Sequence, residues 1–290
     1  MGLVKDSNYE ISLRNGTYRD DYLVIVNIMT YKGDQEILQY CLRSLIKTFE
    51  KNPLEIYIMD DSLHPMDDRN IRWAKKLSPC IHYEQTKFER NKNLNGRPCI
   101  EGMLAKFIEH ANGRKALNLK IDPDTIVCHK EVFNEVYNAQ NSWYASTTRP
   151  GCHFSGILYM FHTEPLEKAL ELAKAFPIPE MSGPEDYIIG LAISAASLPR
   201  LSLMIDVWND AARTGLACAW NYNITDLGQM IPFYGKVFQF ITMGNWFIHE
   251  GLTPAARLKP AEELVKWLEG HDASAKPAAT PASPQNTEGK

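Results

Sequence analysis

Two carboxylates separated by a single residue follow an apolar stretch near the middle of the chain. Asp122 and Asp124 come directly after residues 116–121, a run that predicts a buried strand. Carboxylate oxygens are the ligands that hard divalent cations prefer, and such a site leaves positions for substrate phosphates. An Asp-Pro turn is the alternative for an isolated pair of this kind. The position at the end of a central strand favours a site for Mn²⁺ or Mg²⁺.

A second acidic pair, Glu185 and Asp186, stands at the start of a predicted helix. Ser182 and Glu185 have the spacing of a capping box with a proline in the first turn, which gives Glu185 a structural explanation. The helix N-terminus favours the ionised form of Asp186, and an ionised carboxylate can take a proton from an attacking hydroxyl. We therefore predict that Asp186 is a general base. A surface acid in the first helical turn is the alternative.

The elements that must position these carboxylates alternate along the first half of the chain. Strands are predicted over 22–29, 54–59, 81–84 and 116–121, and helices over 37–49, 68–77 and 98–111. Asp34 is expected to cap the first helix. This order predicts a mostly parallel α/β sheet with ligands bound beyond the carboxyl ends of its strands, where Asp60 and Asp61 also fall. Helices are also predicted over 164–175 and 185–196. Later strands, one of them over 246–249, are expected to extend the same sheet as a mixed, partly antiparallel half.

Residues 89–97 form a loop rich in cations and amides ahead of the third predicted helix. Arg90 and Asn95 of this loop, with the N-terminus of that helix, are candidates for contacts to a nucleotide or diphosphate. A solvated loop without such a role is the alternative.

Composition limits both the organisation and the partners of the chain. The 290 residues carry 31 Lys and Arg against 35 Asp and Glu with no basic block, which argues against nucleic-acid binding. We expect an N-terminal extension over 1–20, one folded domain over 21–270 and a disordered tail over 271–290, since that tail contains no large apolar residue.

Neither export nor membrane insertion is expected. No apolar run approaches the roughly 20 residues of a spanning helix, and no signal peptide opens the chain. Asp6 stands where a myristoylation signal needs Ser or Thr. The six cysteines contain no C-x-x-C pair, so we expect reduced thiols in a cytoplasmic protein.

Three segments resemble glycosyltransferases with the GT-A fold. Residues 27–32 and 60–62 resemble the first βαβ unit of the large family 2 group. Residues 119–127 resemble the D-x-D metal motif of the fringe and β1,3-galactosyltransferase group, although Pro123 replaces the usual Asp or small polar residue. Residues 183–191 resemble the Glu-Asp segment of that group, whose Asp is the catalytic base.

The resemblance implies roles for further residues. Contacts to the nucleotide-sugar donor are implied for one set of side chains: Thr30, Asp60, Asp61, Arg90, Asn95, Asp122 and Glu185. Gly156 falls in a segment similar to the one that lines the donor sugar and acceptor. A late histidine often completes the metal site of such enzymes, and His249 ends an apolar strand late in the chain, with Glu250 as a weaker choice.

The implied protein is a single-domain α/β enzyme of the GT-A type with a mixed sheet. It would be a metal-dependent, inverting hexosyl- or N-acetylhexosaminyltransferase that moves a sugar from a UDP-sugar to a hydroxyl of a glycan or lipid-linked acceptor, with peripheral membrane association. Polysaccharide biosynthesis is the expected setting. One alternative is a non-catalytic sugar-nucleotide-binding scaffold. The other, a sugar-phosphate nucleotidyltransferase, is disfavoured because residues 30–34 contain one glycine rather than a Gly-rich loop.

Overall fold

The computed structural model describes residues 20–88, 97–138, 144–149, 152–175, 200–204, 217–218, 240–242 and 258–270, together with residues 185, 188, 189 and 255. The strands are β1 (Leu23–Thr30), β2 (Leu54–Asp61), β3 (Ile81–Thr86), β4 (Ala116–Ile121), β5 (Thr125–Val127), β6 (Tyr144–Arg149), β7 (Cys152–His162), β8 (Arg200–Met204), β9 (Ala217–Cys218) and β10 (Phe240–Thr242). The helices are α1 (Gln35–Thr48), α2 (Asp68–Leu77), α3 (Arg97–Ala111), α4 (Glu131–Asn138), α5 (Glu164–Ala175) and α6 (Leu258–Glu269).

Seven strands form the central sheet, in the order β3-β2-β1-β4-β7-β6-β8. The pairs between β3, β2, β1 and β4 are parallel. The pair of β4 with β7 and the pair of β7 with β6 are antiparallel, whereas β8 runs parallel to β6. The predicted α/β class with a mixed sheet is therefore confirmed, and the parallel half is the one built by the first half of the chain.

Strand β1 is buried on both faces, as its continuous apolar sequence predicts. On one face, Val26 and Ile28 lie in a core with Leu42 of α1. On the other face, Ile25 and Met29 lie in a second core, whose helical part comes mainly from α3 and α5. The sheet is thus covered by helices on both sides, which leaves the ends of its strands as the place for a ligand.

Strands β9 and β10 do not extend the central sheet, so that part of the prediction was wrong. They pair with β5 in a separate sheet of order β5-β10-β9. The reason lies in a turn after β4, in which the backbone N–H of Thr125 donates to the carbonyl oxygen of Asp122 at 3.1 Å. The chain leaves the central sheet there, and β5 offers its edge to β10, pairing Thr125 with Thr242.

Among the local features that differ from the prediction, two lie close to the predicted site residues. Asp34 stands at the N-cap position of α1, but its side chain makes no capping hydrogen bond. Its backbone is already close to helical, at φ −98° and ψ −9°, because a 3-10 turn over Lys32–Asp34 precedes the helix, whereas a capping side chain needs an extended residue. Strand β2 is two residues longer than predicted and includes Asp60 and Asp61.

No helix within the described ranges is both long and apolar enough to cross a membrane. The predicted strand over 246–249 and the predicted tail over 271–290 lie outside the described residues, as do residues 1–19 of the predicted N-terminal extension.

Candidate active site

The carboxyl ends of the parallel strands bring predicted site residues to one edge of the sheet. Thr30, the last residue of β1, pairs with Asp60 of β2 in the strand register. Strand β4 pairs with β1 on its other side and ends one residue before Asp122. Because these strands run in the same direction, the acidic residues that follow or end them share the edge where α/β sheets bind ligands.

Asp60 has a structural explanation. Its side chain is fully buried, and its Oδ2 atom accepts hydrogen bonds from Tyr83 Oη at 2.7 Å and from the backbone N–H of Met66 at 2.9 Å. Burial raises the pKa of Asp60, while these two donors act in the opposite direction. The carboxylate therefore fastens the loop after β2 to the neighbouring strand β3.

Asp61 lies on the opposite face of β2, the face that Met59 shares with the core under α3. Its Oδ1 atom accepts the backbone N–H of Leu63 at 2.8 Å. Its Oδ2 atom is buried and has no hydrogen-bond partner among the described residues, and the same holds for Thr30 Oγ1. Because buried polar atoms are normally paired, these atoms mark places where a polar ligand would be stabilised. Of the two residues, Asp61 is thus the better candidate for a contact with the nucleotide-sugar donor.

The D-x-D motif is a turn, and its two carboxylates lie near the same thiol. Asp124 is 9% exposed. Burial raises the pKa of Cys41 in α1, and the negative charges of Asp124 and Asp122 raise it further. The turn interpretation and the metal interpretation of this motif are therefore compatible, because the turn leaves both carboxylates near enough to act on one thiol.

Lys120 is the site residue that the sequence analysis missed. Its side chain is 2% exposed, and its Nζ atom donates to Asp122 Oδ1 at 2.7 Å and to Glu185 Oε1 at 3.2 Å. The ammonium also lies 5.3 Å from the centroid of the Tyr159 ring in β7. These contacts join the D-x-D motif to the Glu-Asp segment across 65 sequence positions.

A signal for Lys120 was present in the sequence. Asn118, Lys120 and Asp122 alternate with Leu117, Leu119 and Ile121, and these three apolar residues lie in the core under α1. Side chains two apart on a strand point to the same face, so the polar set lies on the other one. Since a buried lysine needs an anionic partner, its place in a buried strand predicts a carboxylate brought from elsewhere in the fold.

Gly156 also comes to this edge. Ile121 at the end of β4 pairs with Leu158 of the antiparallel strand β7. Gly156 precedes Leu158 by two residues in β7, in a stretch where the register of β7 with β6 shifts. The backbone of β7 can approach a ligand closely at this point, because glycine carries no side chain.

Four predicted site residues, Arg90, Asn95, Asp186 and His249, lie outside the described residues. Within the described ranges no group of three or more His, Cys, Asp or Glu side chains is arranged to hold a metal ion. The residues present nevertheless fit a divalent cation of the kind that takes one or two carboxylates and completes its coordination with substrate phosphates.

Comparisons with known proteins identify the fold. No protein-family model matches the sequence, and no curated protein matches it significantly. Among solved structures, the bifunctional glycosyltransferase WbbM in its apo form matches with a TM-score of 0.51 and 11% identity, over 88% of this chain and 52% of that one. The apo form of the glycosyltransferase GlyE from Streptococcus pneumoniae TIGR4 matches with a TM-score of 0.50 and 10% identity, over 90% of this chain and 66% of that one.

The galactosyltransferase LgtC, solved with donor and acceptor sugar analogs, matches with a TM-score of 0.49 and 11% identity, over 85% of this chain and 95% of that one. The structural relatives are thus glycosyltransferases of the GT-A type. The chain has the GT-A fold, as its resemblance to these enzymes predicts.

Proposed function

We propose that this chain is a metal-dependent glycosyltransferase that transfers a hexose or an N-acetylhexosamine from a nucleotide-diphosphate donor to an acceptor hydroxyl. The observation that carries the proposal is the pair of contacts made by Lys120. They bring Asp122 of the D-x-D motif and Glu185 of the Glu-Asp segment to one place in a GT-A fold. The metal motif then lies beside Glu185, the residue that precedes the candidate base in the sequence.

In this proposal Asp124 and Asp122 hold Mn²⁺ or Mg²⁺, and His249 is the third ligand. Such an ion, when bound, neutralises the charge that develops on the departing diphosphate. Asp124 is proposed as the principal carboxylate ligand and Asp122, whose Oδ1 atom is bonded to the Lys120 ammonium at 2.7 Å, as an assisting one.

The donor nucleotide, which we propose to be UDP, would lie across the carboxyl ends of β1, β2 and β4. The buried Oδ2 of Asp61 and the buried Oγ1 of Thr30 are the protein atoms on this edge that a polar ligand would pair. Arg90 and Asn95 would contact the diphosphate, and Gly156 would leave room for the sugar.

Asp186 is the proposed general base, which takes the proton of the acceptor hydroxyl as that oxygen attacks the anomeric carbon. The assignment is supported by its neighbour in the sequence, Glu185, which is 7% exposed and bonded to the same ammonium as Asp122 of the D-x-D motif. Direct displacement assisted by one base inverts the anomeric configuration. The acceptor is proposed to be a hydroxyl of a glycan or of a lipid-linked sugar.

The experiment that tests the function is a panel of nucleotide sugars with Mn²⁺, in which released UDP or GDP is measured without acceptor and with simple glycan acceptors. Asp124→Ala should abolish metal-dependent donor binding and turnover. Glu171→Gln, a change at an exposed acid on α5, is the matched control and should leave both unchanged. Donor binding without turnover of any sugar nucleotide would instead favour a binding or scaffold protein. Equal activity of Asp124→Ala and wild type would refute the metal assignment.

A further inference from the structure

The ammonium of Lys120 lies where the candidate site concentrates negative charge. It bonds to Asp122 and Glu185 from a position that is 2% exposed, and Asp124 lies two residues beyond Asp122. Counted over these four described side chains in their charged forms, three carboxylates and one ammonium give a formal charge of −2. One divalent cation balances that charge, but it must come close to a fixed positive charge to do so.

Lys120 therefore opposes a free metal ion in two ways. It occupies one carboxylate oxygen of a proposed metal ligand, and it repels a second cation at short range. Coulomb's law gives the scale: a unit charge about 6 Å from a divalent ion changes the affinity by about tenfold even at the dielectric constant of bulk water. A diphosphate has the opposite effect, because it adds negative charge and oxygen ligands to the same place.

We propose that Lys120 makes metal binding depend on the nucleotide diphosphate, so that the divalent cation enters with the donor rather than ahead of it. The inference rests on the metal site of the proposed function. Lys120 is a positioning residue in this scheme: it holds Asp122 and Glu185 in place while the site is without donor, and it keeps the affinity for the bare metal low. The reciprocal statement follows from linkage, since a metal that binds better with the nucleotide also strengthens nucleotide binding by the same factor.

A merely structural ion pair gives a different expectation. If Lys120 served packing alone, its removal would take the ammonium away from Asp122 and Glu185, destabilise the fold and weaken the binding of every ligand. Under the proposal, its removal strengthens the binding of bare metal. The direction of the change in metal affinity thus separates the two roles without any measurement of catalysis.

The test titrates Mn²⁺ into the full chain, with and without UDP, and follows free Mn²⁺ by electron paramagnetic resonance. Wild type should bind Mn²⁺ at least about tenfold more tightly with UDP than without it. Lys120→Met should bind Mn²⁺ alone about tenfold more tightly than wild type, so the gain from UDP should shrink. Lys120→Arg keeps the charge and should behave like wild type.

A double variant covers the case in which Lys120→Met does not fold. Lys120→Met with Glu185→Gln removes a carboxylate together with its ammonium, so the formal charge stays at −2. It should still bind bare Mn²⁺ more tightly than wild type, because Asp122 has lost its ammonium. Unchanged or weaker binding of bare Mn²⁺ by every one of these two variants that folds would overturn the inference and leave the metal site standing. Absence of Mn²⁺ binding in wild type, with and without UDP, would overturn the inference and the proposed metal dependence together.

Discussion

The hydrogen bond from Tyr83 to Asp60 offers a sharp test of how the loop after β2 is held. Tyr83→Phe removes one hydroxyl and leaves the ring in place. Asp60 is fully buried, and its Oδ1 atom has no partner among the described residues. In the variant, Oδ2 of Asp60 would lose the hydrogen bond from Tyr83 and keep the one from the backbone N–H of Met66.

The expected cost follows from that geometry. Hydrogen bonds to charged groups contribute about 1.5–3 kcal/mol, so Tyr83→Phe should lower the free energy of unfolding by about 2 kcal/mol at neutral pH. In an Asp60→Asn background the same hydroxyl would donate to a neutral amide oxygen, and its removal should cost about 1 kcal/mol. Tyr57→Phe is the matched control: its hydroxyl donates to Glu55, which also receives two bonds from Arg114, so the loss should be smaller.

The direction in which stability changes with pH follows from the pKa of the Asp60 carboxyl. Burial raises the pKa of the Asp60 carboxyl in the folded state above its value in the unfolded state, so the folded state holds the carboxyl proton more tightly. The free energy of unfolding therefore falls as the pH rises from the unfolded-state pKa through the folded-state pKa. The Tyr83 hydrogen bond stabilises the charged form, and its removal raises the folded pKa further. The cost of Tyr83→Phe should therefore be small below about pH 4, where the carboxyl of Asp60 is protonated in both states, and should grow as the pH rises.

Urea denaturation of the four proteins of this cycle, repeated between about pH 3 and pH 7, measures these differences. A cost of Tyr83→Phe that is the same at every pH would show that the charge of Asp60 does not strengthen this hydrogen bond. An equal cost with and without the carboxylate at position 60 would show the same.

Three further predictions concern the base, the core and the tail. Asp186→Asn should leave donor affinity unchanged and reduce transfer by about 10²–10⁴-fold in a coupled assay, and the wild-type product should show an inverted anomeric configuration by NMR; retained configuration would contradict the base assignment. Leu42→Ala removes a fully buried side chain of α1 and should lower the free energy of unfolding by about 2–5 kcal/mol in urea, whereas a cost below about 1 kcal/mol would show that this core is not tightly packed. Truncation after Gly270 should leave the melting temperature and donor hydrolysis unchanged, and a fall of several degrees would show that the tail packs on the domain.

Strong local patterns predicted the elements of this fold well. Strand β4 and helices α2 and α5 have the bounds that their sequences predict. Each has a clear start and end: the apolar strand stops at Asp122, and the two helices begin at acidic residues with helical periodicity behind them. The parallel half of the sheet followed, because alternating strands and helices leave few other arrangements.

Contacts between distant segments could not be predicted in the same way. The pairing of β5 with β10 joins residues more than 100 positions apart, and short strands carry no local mark of their partner. The contact of Lys120 with Glu185 has the same character. The sequence could not tell which of Asp60 and Asp61 is the candidate for ligand contact, because that depends on the face of β2 that each one occupies. The predicted strand ended just before them and so assigned them no face.

The D-x-D turn is held in place by the elements before and after it, and this affects which residues can change during evolution. Upstream it continues β4. Downstream, Val127 of β5 is bonded twice by α1, since its N–H donates to Ser44 Oγ at 3.1 Å and its carbonyl oxygen accepts from Thr48 Oγ1 at 2.9 Å. Ser44 and Thr48 sit one turn apart on a single helix face, with Cys41 one turn earlier. Substitutions of Ser44 or Thr48 would remove a hydrogen bond to Val127 and so disturb the D-x-D turn that precedes it. We therefore expect selection to retain these two hydroxyls together with the acidic motif.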